Sequence, residues 1–156
     1  MAKNYNENIG LVAYTKAQAD AYIDLIGSAF VPVRKALSLK PYNWPKNNRD
    51  QSIQAYEESA KNNNLFGYYI EGKLVGVLKV EENELVMIAV HPNHQGKGYG
   101  ERLLKKAIRM VFYENNYDDM ILGALMGNSK AQALYMKYGF KLVANHTLLL
   151  FKSDKN

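Results

Sequence analysis

Apolar and aromatic residues run through Leu65–Ile70, Leu74–Val80 and Glu84–Val90, and short polar breaks separate them at Glu71-Gly72-Lys73 and Glu81-Glu82-Asn83. Runs of that length with turn residues between them predict three strands in an antiparallel meander. A helical period appears elsewhere. Ala19, Tyr22, Ile23 and Ile26 recur at the spacing of one helix face, and Leu103, Leu104, Ala107 and Val111 do the same. The first of these helices is expected to open at Thr15, with Gln18 completing a capping box, and to run to about Phe30. A short strand, Ile9–Ala13, precedes it.

Pro32, Pro41 and Pro45 punctuate Val31–Asn48, and within it Tyr42-Asn43-Trp44-Pro45 reads as a loop. Asp50 is expected to cap a further helix through Ile53, Tyr56 and Ala60, which the run Asn62-Asn63-Asn64 ends. Pro92 has no N–H to give a ladder and stops the third strand of the meander. The helix that follows is predicted to reach about Asn115. A strand, Met120–Leu125, comes next, and a helix of that length between two strands implies a right-handed crossover to a parallel partner. Ser129–Tyr138 reads as the last helix, with Gly139 just past its end, before strands at Phe140–Val143 and Thr147–Lys152. The class is α+β: a mixed, mostly antiparallel sheet of six to seven strands with helices on both faces, in one domain spanning residues 1–156.

Composition narrows the chemistry. The chain has no cysteine, which removes a disulfide framework, a thiolate zinc site and a cysteine nucleophile. His91, His94 and His146 lack metal-ligand spacing, so no metal is expected. No apolar run approaches the roughly 20 residues of a membrane span, and the polar start (Lys3, Asn4, Asn6, Glu7, Asn8) shows no secretory signal. The chain reads as cytoplasmic, with no membrane partner. The net charge of +5 suits an anionic ligand, though it also serves solubility alone. Arg102, Lys105, Lys106 and Arg109 lie on one helical face. That stripe reads as solvated, because no aromatics interleave with it as a nucleic-acid site would require.

One segment carries a specific chemistry. Val90-His91-Pro92-Asn93-His94-Gln95-Gly96-Lys97-Gly98-Tyr99-Gly100-Glu101 places three alternate glycines between a strand and a helix. Glycine tolerates positive φ and lets a ligand approach the backbone. The first helical N–H groups have no internal partner, and the helix end carries roughly half a positive charge. The combination makes a diphosphate site. A dinucleotide fingerprint, G-x-G-x-x-G, fails here: Glu101 stands at its last position counted from Gly96, and Leu103 counted from Gly98. A P-loop fails as well.

The segment resembles the signature of the GNAT acetyltransferases: Gln or Arg, two free positions, Gly, one free position, then Gly or Ala. Gln95, Gly98 and Gly100 fill all three specified positions. Asn128-Ser129-Lys130-Ala131-Gln132-Ala133-Leu134-Tyr135-Met136-Lys137-Tyr138-Gly139-Phe140 is similar to a second segment of that family. The resemblance extends over residues 66–151, and the first sixty residues match only in the order of their elements.

The resemblance implies an acetyl-CoA-dependent N-acetyltransferase that moves the acetyl group to a primary amine of a small molecule, peptide or protein. Acetyl-CoA and an amine acceptor are the expected partners. The alternative is a domain that senses acyl-CoA without catalysis. The resemblance lays the donor against Ile88, Ala89 and Val90, then Gln95, Gly96, Lys97, Gly98, Tyr99, Gly100 and Glu101, and further on Asn128, Ala131 and Tyr135. It makes Glu84 the general base, acting through water, with Glu81 and Glu82 close enough to substitute. A bulge in the strand would change the face that Glu84 occupies. Tyr135 is the matching general acid for the leaving thiolate, although Ala131, Leu134, Tyr135 and Tyr138 also form an ordinary packing stripe. Ser129 and Gln132 read as a capping box, which makes Ser129 structural. The acceptor wall falls in Val31–Asn48, with Arg34, Tyr42, Trp44 and Arg49 as candidate lining, and at Asn145-His146. Homodimers are common among such domains, and nothing in the sequence decides that point.

Overall fold

The computed structural model describes residues 10–123 and 129–152. Seven strands form one sheet: β1 (Leu11–Ala13), β2 (Leu65–Ile70), β3 (Lys73–Glu81), β4 (Glu84–Val90), β5 (Asp119–Gly123), β6 (Lys141–Ala144) and β7 (Thr147–Phe151), in the spatial order β1-β2-β3-β4-β5-β7-β6. Every neighbouring pair is antiparallel except β4 and β5. Among the described residues, five α-helices accompany the sheet: α1 (Ala19–Ala36), α2 (Trp44–Asn47), α3 (Arg49–Lys61), α4 (Tyr99–Arg109) and α5 (Ser129–Lys137). The α+β class, the strand number and the parallel crossover agree with the sequence reading.

The two faces of the sheet carry separate cores. On one, Tyr22, Ile23, Leu25 and Ile26 of α1 and Tyr56 of α3 pack on Leu65, Val77 and Ala89. On the other, Leu103, Leu104, Ala107 and Ile108 of α4 pack on Val75, Leu78, Val80, Leu85, Met120, Leu122, Leu148 and Leu150. Leu134 and Tyr135 of α5, and Tyr138 just past its end, join this second core. The α4 helix is prolonged by one π-helical turn, Met110–Glu114, so its end near Asn115 is as predicted.

Three local expectations change. The first helix does not start at Thr15: Lys16–Gln18 forms a 3₁₀ turn, and Thr15 makes no side-chain cap. Gln18 turns instead to the sheet, where its Oε1 accepts from the Tyr69 hydroxyl at 3.1 Å. Nor does the helix stop at Phe30, since α1 runs through Pro32 to Ala36. A proline inside a helix costs about 3 kcal/mol, but α1 buries Tyr22, Ile23, Leu25, Ile26 and Gly27, and tertiary packing outweighs propensity. The third change lies at α3, which begins at Arg49 with Asn48 as its N-cap, so Asp50 sits in the first turn. Between them Asn43 caps the short α2, its Oδ1 accepting from the Lys46 N–H at 3.2 Å.

Gly27 is the point where α1 admits that cap. A Cβ there would lie 2.2 Å from Asn43 Oδ1. Gly27→Ala is expected to lower the unfolding free energy by about 1–3 kcal/mol. An unchanged urea midpoint would show that Asn43 gives way without cost.

Candidate functional site

The site is built around a fork in the sheet. Among the described residues, β4 and β5 pair at two positions, Glu84↔Ile121 and Leu85↔Leu122. Just beyond, the β3–β4 register shifts between Lys79/Val80, leaving Val86 as an extra residue on β4. A bulge of this kind bends and twists its strand. It also resets the faces: Leu85, Ile88 and Val90 join the α4 side, while Met87 and Ala89 join the α1 side.

The register fixes where the peptide groups point. The His91 N–H donates to the Val75 carbonyl at 3.0 Å, which makes Val90↔Gly76 a non-hydrogen-bonded pair. Met87 and Ala89 therefore turn their peptide groups to β3, and Ile88 and Val90 turn theirs to the side from which β5 has parted. Ala89 contributes a buried methyl on the α1 side and no open peptide group.

Past Val90 the chain makes a 3₁₀ turn, Pro92–His94, capped by the His91 ring, whose Nδ1 accepts from the Asn93 N–H at 3.1 Å. That bond leaves the ring proton on Nε2, facing Asp24 of α1 at 3.1 Å. Gln95 folds back so that its Nε2 donates to the Val90 carbonyl at 3.1 Å. Gly96 and Gly98 then take φ values of +80° and +86°, the left-handed region that side chains with a Cβ avoid. Nothing lies within 4 Å of where a Cβ would stand on either. Both glycines are required by backbone conformation, and the space over them is open. Gly98 is the N-cap of α4 and offers no side chain to the helix end. The first intrahelical bond runs from the Arg102 N–H to the Gly98 carbonyl, so the N–H groups of Tyr99, Gly100 and Glu101 stand at the helix end without an intrahelical acceptor. Partial covering of the His94 ring, and then the positive charge of Lys97 and Lys73 around it, hold its pKa below the ordinary value. An open, electropositive ring of backbone donors fits a diphosphate.

Tyr135 lies on α5, half-buried against the α4-side core, with its ring 6.0 Å from that of Phe140. Burial raises the pKa of its hydroxyl, which keeps it protonated at neutral pH. Helix α5 ends as predicted: Gly139 takes φ +98°, the Phe140 N–H donates to the Tyr135 carbonyl, and the Gly139 N–H donates to that of Met136. This is the Schellman pattern. Ala131 is half-buried on the same helix, whereas Asn128 lies outside the described residues.

Glu84 stands at the opposite end of β4 from the loop, exposed and paired across the turn with Glu81. Six residues of strand, roughly 20 Å, separate it from Val90. It lines a cleft of about 580 Å³ with Asn62, Asn64, Glu81, Glu82 and Asn83. Glu84 is thus at the base of the fork, and the loop is at its mouth. Among the remaining candidates, the Arg34 guanidinium donates to the Pro41 carbonyl at 3.0 Å, Arg49 pairs with Asp20, and Trp44 is exposed on α2. In the basic stripe, Arg102 reaches the Tyr68 hydroxyl and lies over the Tyr99 ring, and Lys106 pairs with Glu114. Among the described residues, no group of three His, Asp or Glu is placed to hold a metal, and no helix is long and apolar enough to cross a membrane.

One contact has no local signal in the sequence. The Glu101 carboxylate turns away from the loop to α5, where it accepts from the Tyr138 hydroxyl at 2.5 Å and from Lys137 Nζ at 2.9 Å. These bonds, Tyr138 first and Lys137 second, hold its carboxyl below the ordinary carboxylate range. A depressed folded-state pKa gives stability that is present above the unfolded value of about 4.3 and is lost as pH falls through the folded one. Glu101→Gln is therefore expected to cost about 1–2 kcal/mol near pH 7. Urea denaturation of the variant and its parent should converge toward pH 3, and a difference that stays constant with pH would contradict this.

Known proteins share this fold. The chain superimposes on the PaiA N-acetyltransferase of Thermoplasma acidophilum in complex with coenzyme A with a TM-score of 0.71 at 18% identity, covering 94% of this chain and 99% of that one. An N-acetyltransferase of Staphylococcus aureus Mu50 gives 0.73 at 17% identity over 93% and 99%. A spermidine N-acetyltransferase of Vibrio cholerae gives 0.68 at 18% identity over 95% and 96%. No curated protein matches the chain by sequence. The description of the acetyltransferase (GNAT) family matches residues 31–140. That match takes in most of the chain, from the second half of α1 through the fork, the glycine loop and α5, and the chain belongs to the GNAT acetyltransferase family.

Proposed function

We propose that the protein is an acetyl-CoA-dependent N-acetyltransferase in which a primary amine attacks the thioester directly, within a ternary complex. The observation that carries this reading is the fork. Ile88 and Val90 present peptide groups to its open side, and the strand they belong to leads straight into a cradle of left-handed glycines and open helix N–H groups. One end suits a diphosphate, and the strand edge suits the amides of an extended thiol arm. An arm laid along Ile88 and Val90 would carry its thioester from the mouth toward the base of the fork, which is the end where Glu84 stands.

An alkylamine with a pKa of about 10.4 is almost wholly protonated at pH 7 and must lose a proton before attack. Glu84 serves as the base through water, and Glu81 and Glu82 offer the same group nearby. The Tyr135 hydroxyl, kept protonated by burial, gives its proton to the departing sulfur. The absence of cysteine from the chain argues against an acyl-cysteine intermediate. Transfer to nitrogen is supported by the activities named for the structural relatives. The acceptor is a primary amine, met on the α1–α3 side.

Titration calorimetry with acetyl-CoA is expected to show one binding site, and no heat at high micromolar ligand would defeat the proposal. Binding without thiol release in the presence of a broad set of amines would make the domain a sensor. Tyr135→Phe is expected to lower kcat by roughly 100-fold or more with acetyl-CoA affinity kept. Unchanged turnover in a folded variant would remove Tyr135 from the chemistry.

A further inference from the structure

We infer that Glu101 is a positioning residue that ties the mouth of the fork and so sets the Tyr135 hydroxyl against the glycine cradle. The inference rests on the reading of Tyr135 as the general acid. Helix α4 leaves β4 and belongs to the half of the sheet that carries the loop, whereas α5 lies between β5 and β6 and belongs to the other half. Among the described residues, the strands of the two halves meet at two residue pairs, both at the base of the fork. At the mouth, the Glu101 carboxylate in the first turn of α4 takes a hydrogen bond from Tyr138 and an ion pair from Lys137 at the end of α5. Lys137 also lies 5.8 Å from the centre of the Tyr138 ring.

The tie reaches Tyr135 through a stiff turn. The Tyr135 carbonyl accepts from the N–H groups of both Tyr138 and Phe140, at 3.1 and 3.2 Å. Tyr135 therefore shares one closed helical turn with the two residues that Glu101 grips. A shift of α5 relative to α4 moves the Tyr135 hydroxyl with it, and proton transfer is sensitive to displacements of about 1 Å. The tie also answers an electrostatic problem. A carboxylate in the first turn of α4 would repel a diphosphate at that helix end, and engagement with Lys137 and Tyr138 directs its charge away.

The test uses Tyr138→Phe, Glu101→Ala and the double variant, with Tyr138→Phe keeping the packed ring should Glu101→Ala fail to fold. Hydrogen exchange of the α5 amides is read on the free protein, and kcat, KM for acetyl-CoA and the Kd of coenzyme A are read on the same variants. Each single change is expected to speed α5 exchange about tenfold and to lower kcat by roughly 10- to 100-fold, with the coenzyme A Kd moving less than about threefold. The double variant should be no worse than the worse single one, because both remove the same tie. Unchanged α5 exchange would overturn the inference. So would a loss confined to coenzyme A affinity at constant kcat, which would make Glu101 a direct ligand contact. If the parent protein binds no acetyl-CoA or transfers no acetyl group, the proposed function fails, while the exchange measurement still decides the tie.

Discussion

Among the described residues, β4 and β5 hold each other at two residue pairs, and β5 stays with β7 through Gly123 while the Val86 bulge bends β4. A parallel pair cut that short leaves strand peptide groups on an open edge in the middle of a sheet. Such an edge is costly unless something satisfies it. The rest of the architecture manages that cost. The core under α4 spans both halves, from Val75, Leu78 and Leu85 on one side to Met120, Leu122 and Leu148 on the other. At the base, Asn83 Nδ2 donates to Asp119 Oδ1 at 2.8 Å, and Asn115 Nδ2 donates to the Glu82 carbonyl. The halves are thus held at their base, along one face and, at the mouth, by the bonds from Tyr138 and Lys137 to Glu101.

Charge follows the same plan. The mouth of the fork is electropositive, with Lys97 and Lys73 near His94 and the end of α4 beside them. The base is acidic and rich in amides, with Glu81, Glu82, Glu84, Asn62, Asn64 and Asn83 around one cleft. The two ends of β4 thus carry opposite charge character. Glu101 is the exception, a carboxylate at the positive end, and its partners on α5 account for it.

The glycine loop was legible because its requirement is local: positive φ at Gly96 and Gly98 needs glycine whatever surrounds it. The meander, the amphipathic α4 and the Gly139 stop were legible for the same reason, as period and turn chemistry act over a few residues. The reach of α1 was not. Pro32 predicts an end, and only the packing of Tyr22, Leu25 and Ile26 on the sheet carries the helix past it. Gln18 read as half of a capping box and became a partner of Tyr69, which is 51 residues away.

The sequence by itself determined the class of fold, the order of its elements, the family signature and the residue types able to bind a diphosphate, since each depends on neighbours in the chain. Tertiary structure alone decided how far β4 and β5 stay together, which peptide groups of Ile88, Ala89 and Val90 face the gap, and what the Glu101 carboxylate does. Register, bulge and helix packing join residues dozens of positions apart, and no local pattern encodes a distance between segments that meet only when the chain has folded.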